Sequence, residues 1–174
     1  MISVAQALEL LTAAFSPLPS ERVGLADALG RVLADDVASR ITQPPSDVSA
    51  MDGYAVRASD VAAVPVTLRR IGESAAGQAF DGVLGAGHAV RIFTGAPVPE
   101  GADAIVIQEN TEAEGDDVLV RQGAAPGKFI RPAGLDFAEG RVLLPAGRVM
   151  TARDVGMAAA MNVPWLSVRR RPRI

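Results

Sequence analysis

The chain has 174 residues, of which 49% are hydrophobic and 21% are charged, so it can bury one ordinary core or two small ones and is not a wholly disordered protein. The net charge of −3 argues against a general nucleic-acid binder, because such proteins usually carry a basic surplus. The sequence has no cysteine and a single histidine, His88, which excludes disulfides, thiolate nucleophiles and multi-histidine metal sites. A metal ion held by these residues would be a hard cation on carboxylates, such as Mg²⁺.

The N-terminus carries none of the features of a secretory signal. Residues 1–6 lack the basic start of such a signal. No uncharged apolar run reaches the roughly 20 residues that a membrane-spanning helix needs. These features predict a cytoplasmic protein with no membrane partner.

Three short helices are predicted. Ser3 and Gln6 have capping-box spacing, and apolar residues then recur at steps of three and four as far as Phe15. This stripe indicates packing against a neighbour, either in this chain or in a part of the protein beyond it. A second helical stretch is predicted near Leu25–Leu29, and a third begins after Thr151 and runs through Met161.

Between the second and third helices the chain predicts a β-rich unit. Short apolar runs alternate there with Gly and Pro turns. The predicted strands are Val64–Leu68, Ala89–Phe93, Ala104–Ile107 and Val118–Val120. Residues 31–37, 141–144 and 165–168 are also predicted to be extended. We therefore predict an α+β, predominantly β fold, in which residues 42–139 form an insert domain and residues 1–41 with 140–174 form a flanking domain that ends in a linker.

Two other features receive structural interpretations. The glycine cluster Gly82–Gly87 lacks the spacing and the following helix of a nucleotide loop, so we predict a hairpin turn there. The arginine-rich end, Arg169–Arg173, could attract anions, and a solvated linker is the favoured interpretation. His88 is assigned no role.

Three segments could carry chemistry. Asp52-Gly53 follows a Pro-Pro break and predicts a tight turn that presents the carboxylate. Residues 91–101 read as a strand that runs into a Gly/Pro loop with the Thr94 hydroxyl at its mouth. Residues 130–136 place Arg131 near Asp136, which also fits an ordinary salt bridge. On spacing alone, each of these segments is also compatible with a structural turn or corner.

Taken in order, the three segments resemble the signatures of the molybdopterin molybdenumtransferase family, which includes the C-terminal domain of gephyrin. The matching stretches are Ser-Ala-Met-Asp-Gly-Tyr-Ala (49–55), Thr-Gly-Ala-Pro-Val-Pro-Glu-Gly (94–101) and Arg-Pro-Ala-Gly-x-Asp (131–136), and residues 102–109 extend the second. One departure is visible: Leu135 stands where the family usually has Glu, which weakens any role for an acidic pair there.

The resemblance implies a part of an enzyme. Family members are homodimers that insert molybdate into adenylylated molybdopterin, release AMP and are assisted by Mg²⁺. The small second domain of one subunit faces a pterin pocket in the third domain of the other. This chain would comprise the first two domains only, so we expect it to be inactive alone and to bind these ligands weakly. The residues that the resemblance nominates are Asp52 and Thr94 as catalytic, Asp52 as the metal ligand, and Ser49, Met51, Gly53, Gly95, Ala96, Pro97, Arg131 and Asp136 as substrate-binding.

Electrostatics constrains what Asp52 and Thr94 could do. Molybdate and phosphate are oxyanions that need N–H donors, hydroxyls or cations, and a bare carboxylate repels them. We therefore expect Asp52 to act through Mg²⁺ or by holding a water or an arginine, and Thr94 or the amides around Gly95 to contact an oxygen directly. A second hypothesis is a dimerisation or docking module without chemistry of its own.

Overall fold

The structure, a computed structural model, describes residues 2–172. In chain order its elements are α1 (Val4–Ala13), β1 (Ser20–Gly24), β2 (Val37–Ala38), β3 (Val48–Ser49), β4 (Gly53–Val56), β5 (Val66–Ser74), β6 (His88–Ile92), β7 (Ala104–Ile107), β8 (Thr111–Glu114), β9 (Asp117–Val120), β10 (Ile130–Arg131), β11 (Val142–Leu144), α2 (Ala152–Ala160) and β12 (Trp165–Arg169). The predicted α+β fold dominated by strands is confirmed. The chain divides into two compact units: Thr42–Ala138, and the segments before and after it.

The unit of residues 42–138 is built on a six-stranded sheet with the order β7-β4-β6-β5-β9-β8. Every neighbouring pair is antiparallel except β5 and β6, which are parallel. All four residues of β4 are buried, because apolar clusters lie on both faces of this strand. Tyr54 and Val56 join one cluster and Ala55 joins the other, as the period of two in a strand requires.

A second, two-stranded sheet in the same unit pairs β3 with β10. Ser49 lies opposite Ile130, and an isolated bridge joins Val48 to Pro97. Since β3 precedes Asp52, this small sheet brings parts of all three signature segments together. It is the framework of the candidate site.

The unit formed by residues up to 41 and from 139 onward contains the pairs β1–β12 and β2–β11. Helix α2 begins at a capping box in which Thr151 and Asp154 satisfy each other's backbone amides. The core of this unit contains the buried side chains of Leu33, Leu144, Met150, Met161, Leu166 and Val168, among others.

The helix predictions were right in position for α1 and α2 and only partly right for the middle stretch. Leu25–Asp27 forms one 3₁₀ turn rather than an α-helix. Ser3 and Gln6 form the predicted capping box at the start of α1. None of the residues of α1 is buried, so within residues 2–172 its apolar stripe has no covering partner. No helix in this range is long and apolar enough to cross a membrane.

Two local predictions were wrong. The glycine cluster Gly82–Gly87 is not a hairpin turn, because it lies in the connection between β5 and β6, and two parallel strands cannot be joined by a hairpin. Residues 31–37 are not one continuous strand. They make single bridges at Val32 and Leu33 before β2 begins at Val37.

Candidate functional site

The turn that carries Asp52 connects β3 to β4. The buried Ser49 hydroxyl shapes this turn by donating to the carbonyl of Met51 at 2.6 Å and accepting from the Met51 amide at 3.3 Å. The Asp52 carbonyl accepts from the amide of Gln108, just beyond β7, at 3.1 Å. The backbone of the turn is therefore fixed on both sides of Asp52.

Gly53, directly after Asp52, is required by packing. A Cβ at this position would lie 2.0 Å from the carbonyl oxygen of Val106 on β7, a separation at which the strands could not stay paired as they are. The Asp-Gly signature is thus explained at Gly53 by close backbone approach rather than by ligand contact.

The loop after β6 carries Thr94. Gly95 has φ +82°, a left-handed conformation that favours glycine, and it reverses the chain immediately after Thr94. The Gly95 amide donates to the Ser49 carbonyl at 2.8 Å, and the Ser49 amide donates to the Ala96 carbonyl at 2.9 Å. These two bonds hold the loop against β3.

Asp52 and Thr94, 42 residues apart in sequence, meet at this junction. The Thr94 amide and hydroxyl donate to the same carboxylate oxygen, Oδ1 of Asp52, at 2.8 and 2.9 Å. Thr94 is exposed and Asp52 is half-buried, so the pair lies at the surface. The Thr94 amide, then the Thr94 hydroxyl, and the charge of Arg91 hold the pKa of Asp52 below its usual value. Asp52 is therefore an anion at neutral pH.

The hydrogen-bond donors of the Thr94 loop are already bonded within the chain, which changes the roles expected of them. The hydroxyl proton of Thr94 is directed at Asp52, so this oxygen is left to accept, for example from a metal-bound water. The amides of Thr94, Gly95 and Ala96 donate to Asp52, Ser49 and Phe93. These amides are thus already engaged within the chain, and their contact with an oxyanion stays a prediction.

Arg91 and Gln108 complete the surroundings, and the sequence analysis gave neither a role. One Arg91 nitrogen donates to the Gly53 carbonyl at 3.0 Å, and another donates to Gln108 Oε1 at 2.8 Å. The guanidinium also lies 5.3 Å from the ring centroid of Tyr54 and 4.8 Å from that of Phe93. A signal was present in the sequence, because Arg91 is the charged residue of the strand that leads into the Thr94 loop.

The third signature segment contacts this framework through its backbone. The Ala50 amide donates to the Phe129 carbonyl at 2.8 Å, which fastens the start of β10 to the Asp52 turn. The Arg131 guanidinium donates to both oxygens of Asp136 at 2.9 and 3.1 Å, and both side chains are exposed. Among residues 2–172, the side-chain bonds recorded for Arg131 and Asp136 join them to each other and not to Asp52 or Thr94. Leu135 is also exposed.

The ten nominated residues thus fall into two groups. Asp52, Thr94, Met51, Gly95, Pro97, Arg131 and Asp136 are exposed or half-buried. Ser49, Gly53 and Ala96 are buried, and burial leaves their side-chain positions no surface to offer to a ligand. These three support the turn and the loop through their backbone and packing, and their contact with substrate stays a prediction.

The site offers a metal ion one strong protein ligand, the carboxylate of Asp52. Within residues 2–172, no group of three or more His, Asp or Glu side chains is arranged to hold a metal ion. Both hydrogen bonds recorded to the Asp52 carboxylate reach Oδ1, which leaves lone pairs on Oδ2. Mg²⁺ commonly uses one or two carboxylates together with waters and substrate phosphates. The residues fit that mode of binding, and they do not form a complete cage.

Comparison with known proteins identifies the family of the chain. The family described as "MoeA N-terminal region (domain I and II)" matches residues 2–162. The chain belongs to this family. A Nostoc molybdopterin molybdenumtransferase is 42% identical over 159 residues, and Mycobacterium tuberculosis molybdopterin molybdenumtransferase 2 is 44% identical over 156 residues. The crystal structure of the molybdopterin biosynthesis MoeA protein of Pyrococcus horikoshii OT3 superimposes with a TM-score of 0.91 at 34% identity.

The match covers nearly all of this MoeA N-terminal region and a minority of each relative. The alignments include 89% and 87% of this chain but only 36% and 38% of the Nostoc and Mycobacterium proteins. The superposition covers 99% of this chain and 47% of the Pyrococcus chain. The predicted resemblance to the N-terminal portion of this family is therefore confirmed.

Proposed function

We propose that this chain is the N-terminal part of a molybdopterin molybdenumtransferase, which inserts molybdate into adenylylated molybdopterin and releases AMP. The single observation that carries this proposal is the Asp52–Thr94 pair. Two signature segments 42 residues apart converge on one surface point and place an ionised carboxylate beside a hydroxyl there. The relatives that are named for this activity are more than twice as long as this chain.

The role of the pair follows from charge. Because Asp52 is anionic, it repels molybdate and phosphate unless a cation lies between them. We propose that Oδ2 of Asp52 is the protein ligand of Mg²⁺ and that substrate phosphates and waters complete the coordination. When bound, Mg²⁺ would neutralise oxyanion charge. Thr94 keeps Asp52 ionised and oriented, and its oxygen can accept from a metal-bound water.

The remaining partners belong to the same proposal. Thr94 is exposed and Asp52 is half-buried, so the pair lies at the surface, and we propose that the pterin pocket comes from another part of the enzyme. We propose a cytoplasmic homodimer in which the third domain of the partner subunit supplies that pocket. The 174-residue chain would then be inactive alone.

The test uses the complete transferase that contains this chain. We expect Asp52→Ala and Thr94→Ala each to slow AMP release from adenylylated molybdopterin by about 100-fold, the usual cost of removing one group that stabilises developing charge. Mg²⁺ titration of the rate should shift to higher concentration in Asp52→Ala, because its protein ligand is gone. AMP release is followed in single-turnover reactions with molybdate present.

Arg121→Ala is the control for this experiment. Arg121 is exposed and forms a bidentate salt bridge with Glu112 on the hairpin of β8 and β9, and it takes no part in the Asp52–Thr94 pair. We expect it to retain wild-type rates. Wild-type rates in both Asp52→Ala and Thr94→Ala, at unchanged melting temperature, would remove the pair from the reaction.

A docking module is the second candidate, and α1 is the observation that favours it. Large apolar side chains of this helix are exposed at Val4, Leu8, Leu10 and Leu11, and Ile2 and Phe15 flank them. Exposed apolar surface of this kind commonly marks a protein interface. A chain that acts only by docking would tolerate Asp52→Ala and Thr94→Ala and would lose partner binding when α1 is made polar.

A further inference from the structure

Arg91 contacts three segments that surround the Asp52–Thr94 pair. It donates to the carbonyl of Gly53, the residue after Asp52, at 3.0 Å. It lies over the ring of Phe93, the residue before Thr94, with 4.8 Å between the guanidinium carbon and the ring centroid. It also donates to the side chain of Gln108, whose amide in turn donates to the Asp52 carbonyl.

These contacts place one planar group between two parts of the chain that must stay in register. The Asp52 turn precedes β4, and the Thr94 loop follows β6. The hydrogen bonds from Thr94 to Asp52 therefore require that the turn and the loop stay at a fixed distance from each other. We infer that Arg91 is a positioning residue that locks the Asp52 turn to the Thr94 loop and so sets the geometry of the proposed active site. The inference rests on the function proposed above.

The choice of arginine supports this role. The recorded hydrogen bonds of Arg91 go to a carbonyl and an amide oxygen rather than to a carboxylate, unlike those of Arg70, Arg121 or Arg131. The half-buried guanidinium exchanges part of its hydration for two neutral acceptors and two aromatic rings. A guanidinium fork can donate in two directions while its face stacks on aromatic rings, whereas a lysine ammonium can do only part of this. The arrangement therefore uses the shape of Arg91 as well as its charge.

The first test reads the geometry in the 174-residue chain by NMR and needs no activity. The variants are Arg91→Lys and Arg91→Gln. In both we expect the Thr94 amide resonance to move and the NOEs between the Thr94 amide and the Asp52 side chain to weaken, because the hydrogen bonds from Thr94 loosen. Arg91→Lys preserves the charge, so a shift in that variant reports position.

Arg70→Gln is the matched control. Arg70 lies on the neighbouring strand of the same sheet and is also half-buried, but it pairs with Asp116 at 3.2 Å. We expect it to leave the Thr94 amide resonance and its NOEs to the Asp52 side chain unchanged. The inference is overturned if Arg91→Lys matches wild type in both signals, since charge alone would then suffice. It is also overturned if the β-rich unit unfolds in both Arg91 variants, since the residue would then be a general element of stability.

The second test measures turnover in the complete transferase. We expect both Arg91 variants to lower kcat by about tenfold, the scale expected when a reacting group is displaced, with a much smaller change in KM for molybdate. If Arg91 acts through the pair, Arg91→Lys combined with Thr94→Val should be no slower than Thr94→Val alone. Additive losses would show an independent role and overturn the inference. Should the proposed activity be absent altogether, the NMR signals still decide whether Arg91 positions the pair.

Discussion

The molecule contains the same pair twice, an aspartate that accepts hydrogen bonds from both the amide and the hydroxyl of a threonine. In the first pair, Thr94 donates twice to Oδ1 of Asp52. In the second, at the start of α2, Thr151 donates twice to Oδ2 of Asp154, at 2.8 and 2.7 Å. The local chemistry is nearly identical, so the difference between the pairs lies in their surroundings.

The Asp154 pair is closed and the Asp52 pair is open. Arg148 donates to the second oxygen of Asp154 at 2.9 Å, and Asp154 is only 4% exposed. Both carboxylate oxygens are thus used inside the protein, where they cap a helix. Among residues 2–172, the hydrogen bonds to the Asp52 carboxylate reach Oδ1 only, and the nearby cation Arg91 donates to the carbonyl of Gly53 instead. The difference between the two carboxylates is therefore the second oxygen. In Asp154 it accepts from Arg148, whereas in Asp52 it is available to a ligand, which makes Asp52 the candidate site.

The largest expected difference between the pairs is in stability. Asp154→Asn should lower the free energy of unfolding of its unit by about 2 kcal/mol, because it weakens charge-assisted hydrogen bonds to a buried group. Asp52→Asn should change the free energy of unfolding of the β-rich unit by less than about 0.5 kcal/mol, as is usual for a substitution at the surface. The two units can be followed separately in urea, because Trp165 is the only tryptophan and Tyr54 the only tyrosine of the chain. Equal losses in the two variants would contradict the distinction.

Lowering the pH should also reveal the structural role of Asp154, with a somewhat smaller effect on stability than the substitution. Hydrogen bonds from Arg148, and then from the Thr151 amide and hydroxyl, lower the pKa of Asp154 from 3.8 to about 2. Because the folded pKa lies below the unfolded one, this stabilisation is complete above about pH 4 and is lost as pH falls through about 2. The Trp165-monitored urea midpoint should therefore fall across this window in wild type and fall less in Asp154→Asn. A parallel fall in both proteins would show that Asp154 is not responsible.

The threonines should give the smallest difference. Thr151→Ala removes an N-cap and should cost about 1 kcal/mol, whereas Thr151→Ser keeps the capping hydroxyl and should be near wild type. Thr94→Ala, in an exposed loop, should cost about half as much in the β-rich unit and should act mainly on turnover. Urea unfolding of the three variants checks these values. A larger stability loss in Thr94→Ala than in Thr151→Ala would make the Asp52 pair the structural one.

Local features of the fold could be predicted from the sequence, and non-local ones could not. The capping box at Ser3 and the N-cap at Thr151 involve residues within four positions of each other, so spacing reveals them. The parallel pairing of β5 and β6 depends on contacts between distant residues, and the Gly82–Gly87 turn was therefore misassigned. Spacing also could not bring Asp52 to Thr94, and only the family resemblance suggested it. Arg91 was missed because its contacts are visible only once β4, β6 and β7 lie side by side.

The close approach at Gly53 has a consequence for protein engineering. A single methyl group there would collide with the backbone of β7, so the residue beside Asp52 cannot be varied to tune the acid. Libraries that aim to change the ligand preference of this surface should hold that glycine constant and sample Met51 and Pro97, where side chains reach solvent. Position 53 is thus fixed by steric exclusion from a neighbouring strand, whereas positions 51 and 97 remain adjustable.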